Sequence, residues 1–362
     1  MTADGDSEAH NGRPATALDL VLRDHAAYIS KLQSGKRAVL RFADLAGAKL
    51  SHRVLASADL SGAVLAGADL SYGEWVNAEL YCADLRGIDG RSCDFSHADL
   101  RGCLLTGANL NRARLDYADL RAGRLVNQTG KDVLDRPGSL ANADLSRASL
   151  CGASFEGADL QGADFRGAIV HATRFKNARM GGADFTGAVL SQVLLHELKI
   201  PEAMLKTCVL PPAITDITAA RSRLLAHLQE HQRWIESNGR SGRHAILDDE
   251  DLRPLGRNLG AFKLTAISAR RCLGVAINFA GLELQGANFE EADLRGANFD
   301  GADLRGVRFR GARLSHASFR DADIGSLTLR SGERLDFDVF RAEIDEAQLA
   351  EAKMRDRRPP RS

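Results

Sequence analysis

Aromatic side chains are scarce: they make up 6% of the 362 residues, with only 2 Trp and 4 Tyr. A broad core filled by large rings is thereby excluded. Nor does charge of one sign dominate, because 48 Lys and Arg balance 48 Asp and Glu. Such a chain has no overall field to attract nucleic acid, and it lacks the acidic excess of a DNA surrogate. No apolar run approaches the ~18 residues of a membrane-spanning helix. Residues 1–17 are polar, lack the apolar segment of a secretion signal and read as a disordered tail. The 6 Cys include no Cys-x-x-Cys pair, so neither zinc nor any other metal or cofactor is expected. Disulfides are not expected either, since the chain reads as cytoplasmic. What is abundant is small or aliphatic: 44% of residues are hydrophobic, mostly Ala and Leu, and there are 34 Gly. The core must be narrow and regular.

A large apolar residue recurs every five positions from Leu40 to Leu85, lapses at Gly90, and resumes from Phe95 to Leu125 and from Leu140 to Leu195. A second block keeps the spacing from Phe279 to Leu329, with Phe and Leu alternating as far as Phe319. Two residues earlier there is usually a small side chain, as at Ala58, Ala63 and Ala68. The unit is Ala-(Asp/Asn)-(Leu/Phe)-x-Gly, for example ADLSG at 58–62 and ADFRG at 163–167. A period of five fits neither the helix period of about 3.6 nor the strand period of about 2. A chain that turns a corner every five residues would bring each Leu inside. The Ala two positions earlier would also point in, and Gly and polar residues would take the corners. Four sides make a coil of about 20 residues, stacked on its neighbour at about 4.8 Å.

These units resemble those of the pentapeptide-repeat proteins, over most of residues 38–210 and 245–354. The resemblance implies an all-β solenoid, a right-handed quadrilateral β-helix, to which the flanking segments here add short α-helical caps. Residues 18–40 and 224–247 align, with Leu18 on Leu224, Leu22 on Leu228, His25 on His231 and Tyr28 on Trp234. Both show helical apolar spacing, and IPEA at 200–203 is echoed by IDEA at 344–347. The arrangement reads as a tandem duplication. A capping helix over 18–36 precedes β-helix 1 at 38–210, and a linker spans 211–217. A second capping helix covers 218–237, β-helix 2 covers 245–330, and a closing segment with a polar tail covers 331–362. The caps are expected to shield terminal coils whose apolar cross-section and ladder edge would otherwise be open.

Cys93, Cys103, Cys208 and Cys272 occupy the small inward slot, where a thiol serves as filler. Phe262, Ile267, Cys272 and Ile277 put larger groups in that slot, and the centres after two of them shrink to Ala269 and Gly274. Gly73 before Trp75 makes the reverse exchange. His25 and His231 recur on the apolar stripe of the two helices and read as hydrogen-bonded cap residues facing the first coil. Asp59, Glu79, Asp99 and Asp119, spaced by 20, would form a ladder on one face. A general acid–base pair needs a cleft with unequal environments, which a convex face does not supply. Arg86, Arg101, Arg121, Arg166, Arg295 and Arg305 each follow an Asp by two positions and would neutralise it.

Residues 126–139, VNQTGKDVLDRPGS, interrupt the first block while keeping its phase, and read as an outward loop. In family members that protect DNA gyrase, similar excursions contact the enzyme. Those members look like B-form DNA because they are strongly acidic and dimerise end to end. Here residues 40–195 carry 17 basic and 18 acidic side chains, and residues 279–329 carry 6 and 8. The chain is therefore read as a non-catalytic protein-binding scaffold or adaptor. A DNA-mimicking gyrase protector is the alternative, disfavoured by the charge balance. Neither a membrane nor direct nucleic-acid contact is expected, and homo-oligomerisation is left open.

Overall fold

The computed structural model describes residues 17–126, 133–198, 200–211, 214–344, 346–350 and 352–353. The expected tail before Ala17, the tip of the 126–139 loop, part of the 211–217 linker and the residues from Met354 onward lie outside that set. The backbone climbs by parallel bridges between residues 20 apart, from Asp59 to Glu79, Asp99 and Asp119 on one side, and likewise at every fifth residue. Four sides thus close one coil. Sides of five residues that each give two to a corner leave room for little extended chain. Most rungs are accordingly single bridged residues, and the parallel pair β3 (Ile169–His171) and β4 (Val189–Ser191) is an exception.

Each corner needs a left-handed residue, which glycine supplies at Gly62 and Gly102 with φ of 68° and 67°. At two pairs of corners where it is not glycine, rings of neighbouring coils stack. Tyr72 (φ 57°) stacks on His52 at 5.1 Å, and Tyr117 (φ 60°) stacks on His97 at 5.1 Å. The centre and small slots fill the interior, with Leu60, Leu110, Phe165 and Phe289 at most 1% exposed. Phe residues 20 apart lie face to face, as Phe165 on Phe185 at 4.5 Å and Phe279 on Phe299 at 5.0 Å. Volume is exchanged within a side at Gly73 and between coils at Gly90. A methyl on Gly73 would lie 2.5 Å from the Trp75 indole nitrogen, and one on Gly90 would lie 2.9 Å from Leu110. The lapse at Gly90 is thus filled by Leu110 from the next coil and by Ile88, buried in the slot that Ala usually takes.

Two excursions leave the ladder. Leu104 bridges Ser139 rather than residue 124, so 15 extra residues are extruded as an antiparallel hairpin of β1 (Gly123–Val126) and β2 (Val133–Arg136). The second is absent from the sequence reading: Arg308 bridges Asp338, and the 10 added residues form β5 (Leu327–Thr328) and β6 (Arg334–Leu335). Leu327 and Leu335 fold back onto Gly306, where a methyl would approach both within 2.9 Å. Beyond this hairpin the ladder resumes through Glu343 and Lys353, so the segment expected to close the fold from 331 instead completes a further coil. The apolar spacing of Leu327 and Leu329 hid the insertion because a hairpin that keeps the five-residue phase leaves the pattern unbroken.

Two other expectations are corrected. Leu195, expected inside, is 39% exposed on the short helix α2 (Leu195–Leu198), while Leu198 is buried. A second short helix, α3 (Glu202–Leu205), follows before Val209 rejoins the ladder opposite Val189. In the opening coil of the second block, Ile246 bridges Ser268, two residues more than a regular coil, and a 3-10 turn at Arg253–Ala261 takes up the excess. Phe262 is therefore half-buried at the edge of the core and does not fill the inward slot.

The helices are α1 (Ala17–Ile29) and α4 (Ile214–Glu236). Leu18, Val21 and Leu22 of α1 pack on the first core, and Leu224 and Leu228 of α4 belong to the second. The two solenoids lie side by side with their coils advancing in opposite directions. Gly296 meets Ile169, whereas His316, one coil later, donates from Nε2 to the Arg147 carbonyl, one coil earlier. Arg295 is fully buried at this contact. Its Nη1 donates to the carbonyls of Gly167 (3.1 Å) and Gly187 (2.9 Å), while Nε and Nη2 hold Asp293 at 2.8 and 2.6 Å.

Candidate functional site

The Asp/Asn slot of the repeat builds the corners. Its side-chain oxygen accepts the N–H two residues further on, as Asp94 from Ser96 (2.9 Å), Asp164 from Arg166 (2.9 Å) and Asn298 from Asp300 (2.8 Å). This Asx turn closes each bend. The ladder expected at Asp59, Glu79, Asp99 and Asp119 is thus one stretch of a slot whose side-chain oxygens shape the corners. The free exchange of Asp with Asn, at Asn109, Asn278, Asn288 and Asn298, was the available signal that an acceptor oxygen matters there more than a charge.

An Arg following the central residue folds back onto the same carboxylate. Arg101 grips Asp99 through Nε (2.8 Å) and Nη2 (2.6 Å), and Arg121 grips Asp119 at 2.9 and 2.7 Å. All six pairs read from the sequence form such forks, and Asp89–Arg91 and Asp251–Arg253 add two more. The Arg86 hydrogen bonds hold the Asp84 carboxyl below its usual range, and Arg91 does the same for Asp89. The ladder of Asp59, Glu79, Asp99 and Asp119 is present, but every rung is paired. Arg41 takes Asp59, Arg37 takes Glu79 at 2.7 Å, and Arg101 and Arg121 take the others. In the same column two coils further on stands Arg174.

The adjoining corner carries Tyr81, Arg101, Arg121, Glu156 and Lys176 on successive coils. There the β1–β2 hairpin is anchored. The Tyr81 hydroxyl donates to the Arg124 carbonyl (2.7 Å), and Arg136 Nη1 donates to the Cys82 carbonyl (2.9 Å). Gly102 lets the hairpin base come close, since a methyl on it would lie 2.9 Å from the Gly123 Cα. Between hairpin and corner runs an open groove of ≈ 490 Å³, lined by Tyr81, Arg101, Arg121, Arg124, Glu156 and Lys176 over a floor that includes Ala122 and Gly157. The Arg101 guanidinium lies over the Tyr81 ring at 5.2 Å. The sequence reading located the excursion, but not the groove that forms when it folds against a particular corner.

The cysteines stand apart from this groove in chemistry. Cys93 and Cys103 are buried and donate to the carbonyls of Leu70 (2.7 Å) and Leu80 (2.8 Å). Cys208 lies 3.2 Å from the Phe185 carbonyl. Burial pushes the Cys93 thiol up to about 12 and raises Cys272. Cys151, outside the inward slot, is raised to about 11 by burial and then by the charge of Asp116. These are not thiolate nucleophiles at neutral pH. Among the described residues, no group of three or more His, Cys, Asp or Glu is placed to hold a metal.

His25 and His231 make matching contacts. The N–H of Ala38 donates to His25 Nδ1 (3.0 Å), and that of Ala245 donates to His231 Nδ1 (3.1 Å). His231 Nε2 meets the Thr265 carbonyl at 3.0 Å, whereas His25 Nε2 lies toward the Ala56 carbonyl without closing a full hydrogen bond. Each ring stacks on an aromatic neighbour, Tyr28 at 5.7 Å and Trp234 at 5.6 Å. Burial lowers both pKa values, so both imidazoles are neutral at pH 7.

Coils of four five-residue sides, cornered by Asx turns, define a pentapeptide solenoid. The family model described as pentapeptide repeats matches in 8 copies, over residues 58–89, 91–127, 139–171, 276–311 and 297–330. The chain belongs to the pentapeptide-repeat family. Among solved structures it is similar to HetL, a pentapeptide repeat protein involved in heterocyst differentiation regulation from the cyanobacterium Nostoc sp. strain PCC 7120. That match has 24% identity over 83% of this chain and 84% of HetL, with a TM-score of 0.25. QnrB1, a plasmid-mediated fluoroquinolone resistance protein, matches at 22% identity over 52% of this chain and 92% of its own, with a TM-score of 0.23. A pentapeptide repeat protein from the Arabidopsis thaliana thylakoid lumen matches at 24% identity over 36% and 70%, with a TM-score of 0.19. No curated protein matches the chain.

Proposed function

We propose that this protein is a non-catalytic scaffold that holds a protein partner along the corner bearing the β1–β2 hairpin. The supporting observation is the hairpin itself, anchored by Tyr81 and Arg136 over an open groove on an otherwise regular and charge-paired solenoid. In this reading the chain is a tandem pair of right-handed modules, with α1 and α4 capping their first coils. The matching environments of His25 and His231 support that part. A cytoplasmic location goes with it, in keeping with 6 unpaired cysteines. No helix of the described residues is long and apolar enough to cross a membrane.

The test is affinity capture from the native host with the full chain and with a variant lacking residues 124–138. A partner held by the first and released by the second, at equal circular dichroism, is expected. Identical capture by both would overturn the docking corner. For the alternative, a gyrase protector acting as a DNA mimic, the paired acid ladder offers no continuous negative face. No protection of gyrase from quinolones is expected in a supercoiling assay, and protection would reinstate the mimic.

A further inference from the structure

We infer that the outer face of α1, with the turn that follows it, is a contact between two copies of this chain. The inference does not depend on the docking corner. The chain supplies its own reference, because α1 and α4 meet their solenoids through equivalent residues. Ala38 and Ala245 donate to His25 and His231, and Tyr28 and Trp234 stack on those rings. The two helices are nevertheless covered unequally. Leu224 and Leu228 are fully buried, whereas Leu18 and Leu22 at the same places are half-buried. Tyr28 and Ile29 are 41% and 37% exposed, while Trp234 and Ile235 are half-buried. On the side of α1 turned away from Leu18, Leu22 and His25 stands Leu20, where α4 has Ala226. The N–H that closes each helix end on the carbonyl five residues back belongs to Leu32 in one and to Gly239 in the other. Leu20 and Leu32 are 42% and 59% exposed.

The second solenoid covers its helix from its own chain. The 3-10 turn Arg253–Ala261 buries Leu255 and Leu259 there, and Arg221 Nε donates to the Pro254 carbonyl at 2.7 Å. The first solenoid has no such turn, since its opening coil keeps regular rungs from Val39 to Val54. Nor can residues 1–16, MTADGDSEAHNGRPAT, supply the cover, because they carry no large apolar side chain beyond Met1. A second copy can. A two-fold contact brings one patch against itself, so Leu20 and Leu32 of each chain meet apolar side chains of the other. The charges around the patch, Asp19, Arg23, Asp24 and Lys31, sum to zero, so two such ends meet without net repulsion. The same balance disfavours a bilayer, which selects helices with a basic polar face.

The test is sedimentation equilibrium of the full chain over a range of concentrations. A reversible dimer, twice the mass of one chain, is expected. Leu20→Glu combined with Leu32→Glu, both exposed positions, should weaken the dimer about tenfold or more at unchanged circular dichroism. Each substitution enters the two-fold contact twice and sets a carboxylate among apolar groups. Leu20→Gln combined with Leu32→Gln should weaken it less, which guards against a misfolded charged variant. Ala226→Glu, at the matching place on α4, should leave the dimer unchanged. A chain that stays monomeric at its highest soluble concentration would overturn the inference. So would a dimer indifferent to both Leu20 variants, or one weakened as much by Ala226→Glu. Monomer that co-sediments with phosphatidylcholine–phosphatidylserine vesicles, and is released by Leu20→Glu with Leu32→Glu, would reassign the face to a bilayer.

Discussion

At the scale of the residue, the slot before each central Leu or Phe does two jobs. Its oxygen closes a turn, and its charge holds an arginine. Asp164 can separate them, because it accepts from the Arg166 N–H at 2.9 Å and pairs with the same guanidinium at 2.6 Å. Asp164→Asn keeps the acceptor and loses only an exposed ion pair, so it should cost less than about 0.5 kcal/mol. Asp164→Ala loses the turn bond as well and should cost about 1 kcal/mol. Urea midpoints at constant slope measure both. Equal losses in the two variants would mean that charge, and not the Asx turn, sets the preference of the slot.

The elements that differ most from the repeat are the helices, and their buried histidines give them a pH signature. Burial lowers the pKa of His25 and His231 from 6.5 in the folded chain. As pH falls below about 6.5, the unfolded chain takes up protons that the folded chain refuses, so stability is lost on acidification through that window. The lowered carboxyls of Asp84 and Asp89 act in a separate window, since their contribution disappears only as pH falls below the unfolded value of 3.8. The melting temperature should therefore decline from pH 7 to pH 5.5. His25→Gln with His231→Gln should melt lower at pH 7 but with a flatter dependence. A decline of the same slope in the double variant would place the titrating groups elsewhere.

For the whole molecule, the contact between the two solenoids depends on Arg295. Its guanidinium is buried yet bonded through all three nitrogens, to Asp293 and to the carbonyls of Gly167 and Gly187. Arg295→Glu removes both carbonyl bonds and sets a carboxylate beside Asp293 in a buried place, which the contact cannot accommodate. Small-angle scattering should show a larger radius of gyration, while circular dichroism keeps the signal of both solenoids. An unchanged radius would mean that the contact is carried by its other members, such as Ile169 against Gly296.

The five-residue period by itself determined the inward rows, the corners, the coil of 20 and the pairing of Arg with Asp two residues apart. Each of these is a relation within one side of a coil, or between sides that the period aligns, so local pattern suffices. The first hairpin was legible because its Gly, Pro and polar residues break the composition, whereas the second was not, because Leu327 and Leu329 continue it. Only the tertiary structure decided which corner the first hairpin folds against, and hence that Arg101, Arg121 and Lys176 share a groove with Arg124. It alone also decided that Arg295 would differ from Arg86, although both follow an Asp by two positions. One is buried against a second solenoid, and the other lies in solvent. The physical reason is the same in both cases. A repeat makes its units equivalent, and what distinguishes them is the surface that happens to pack against each, which no period of five records.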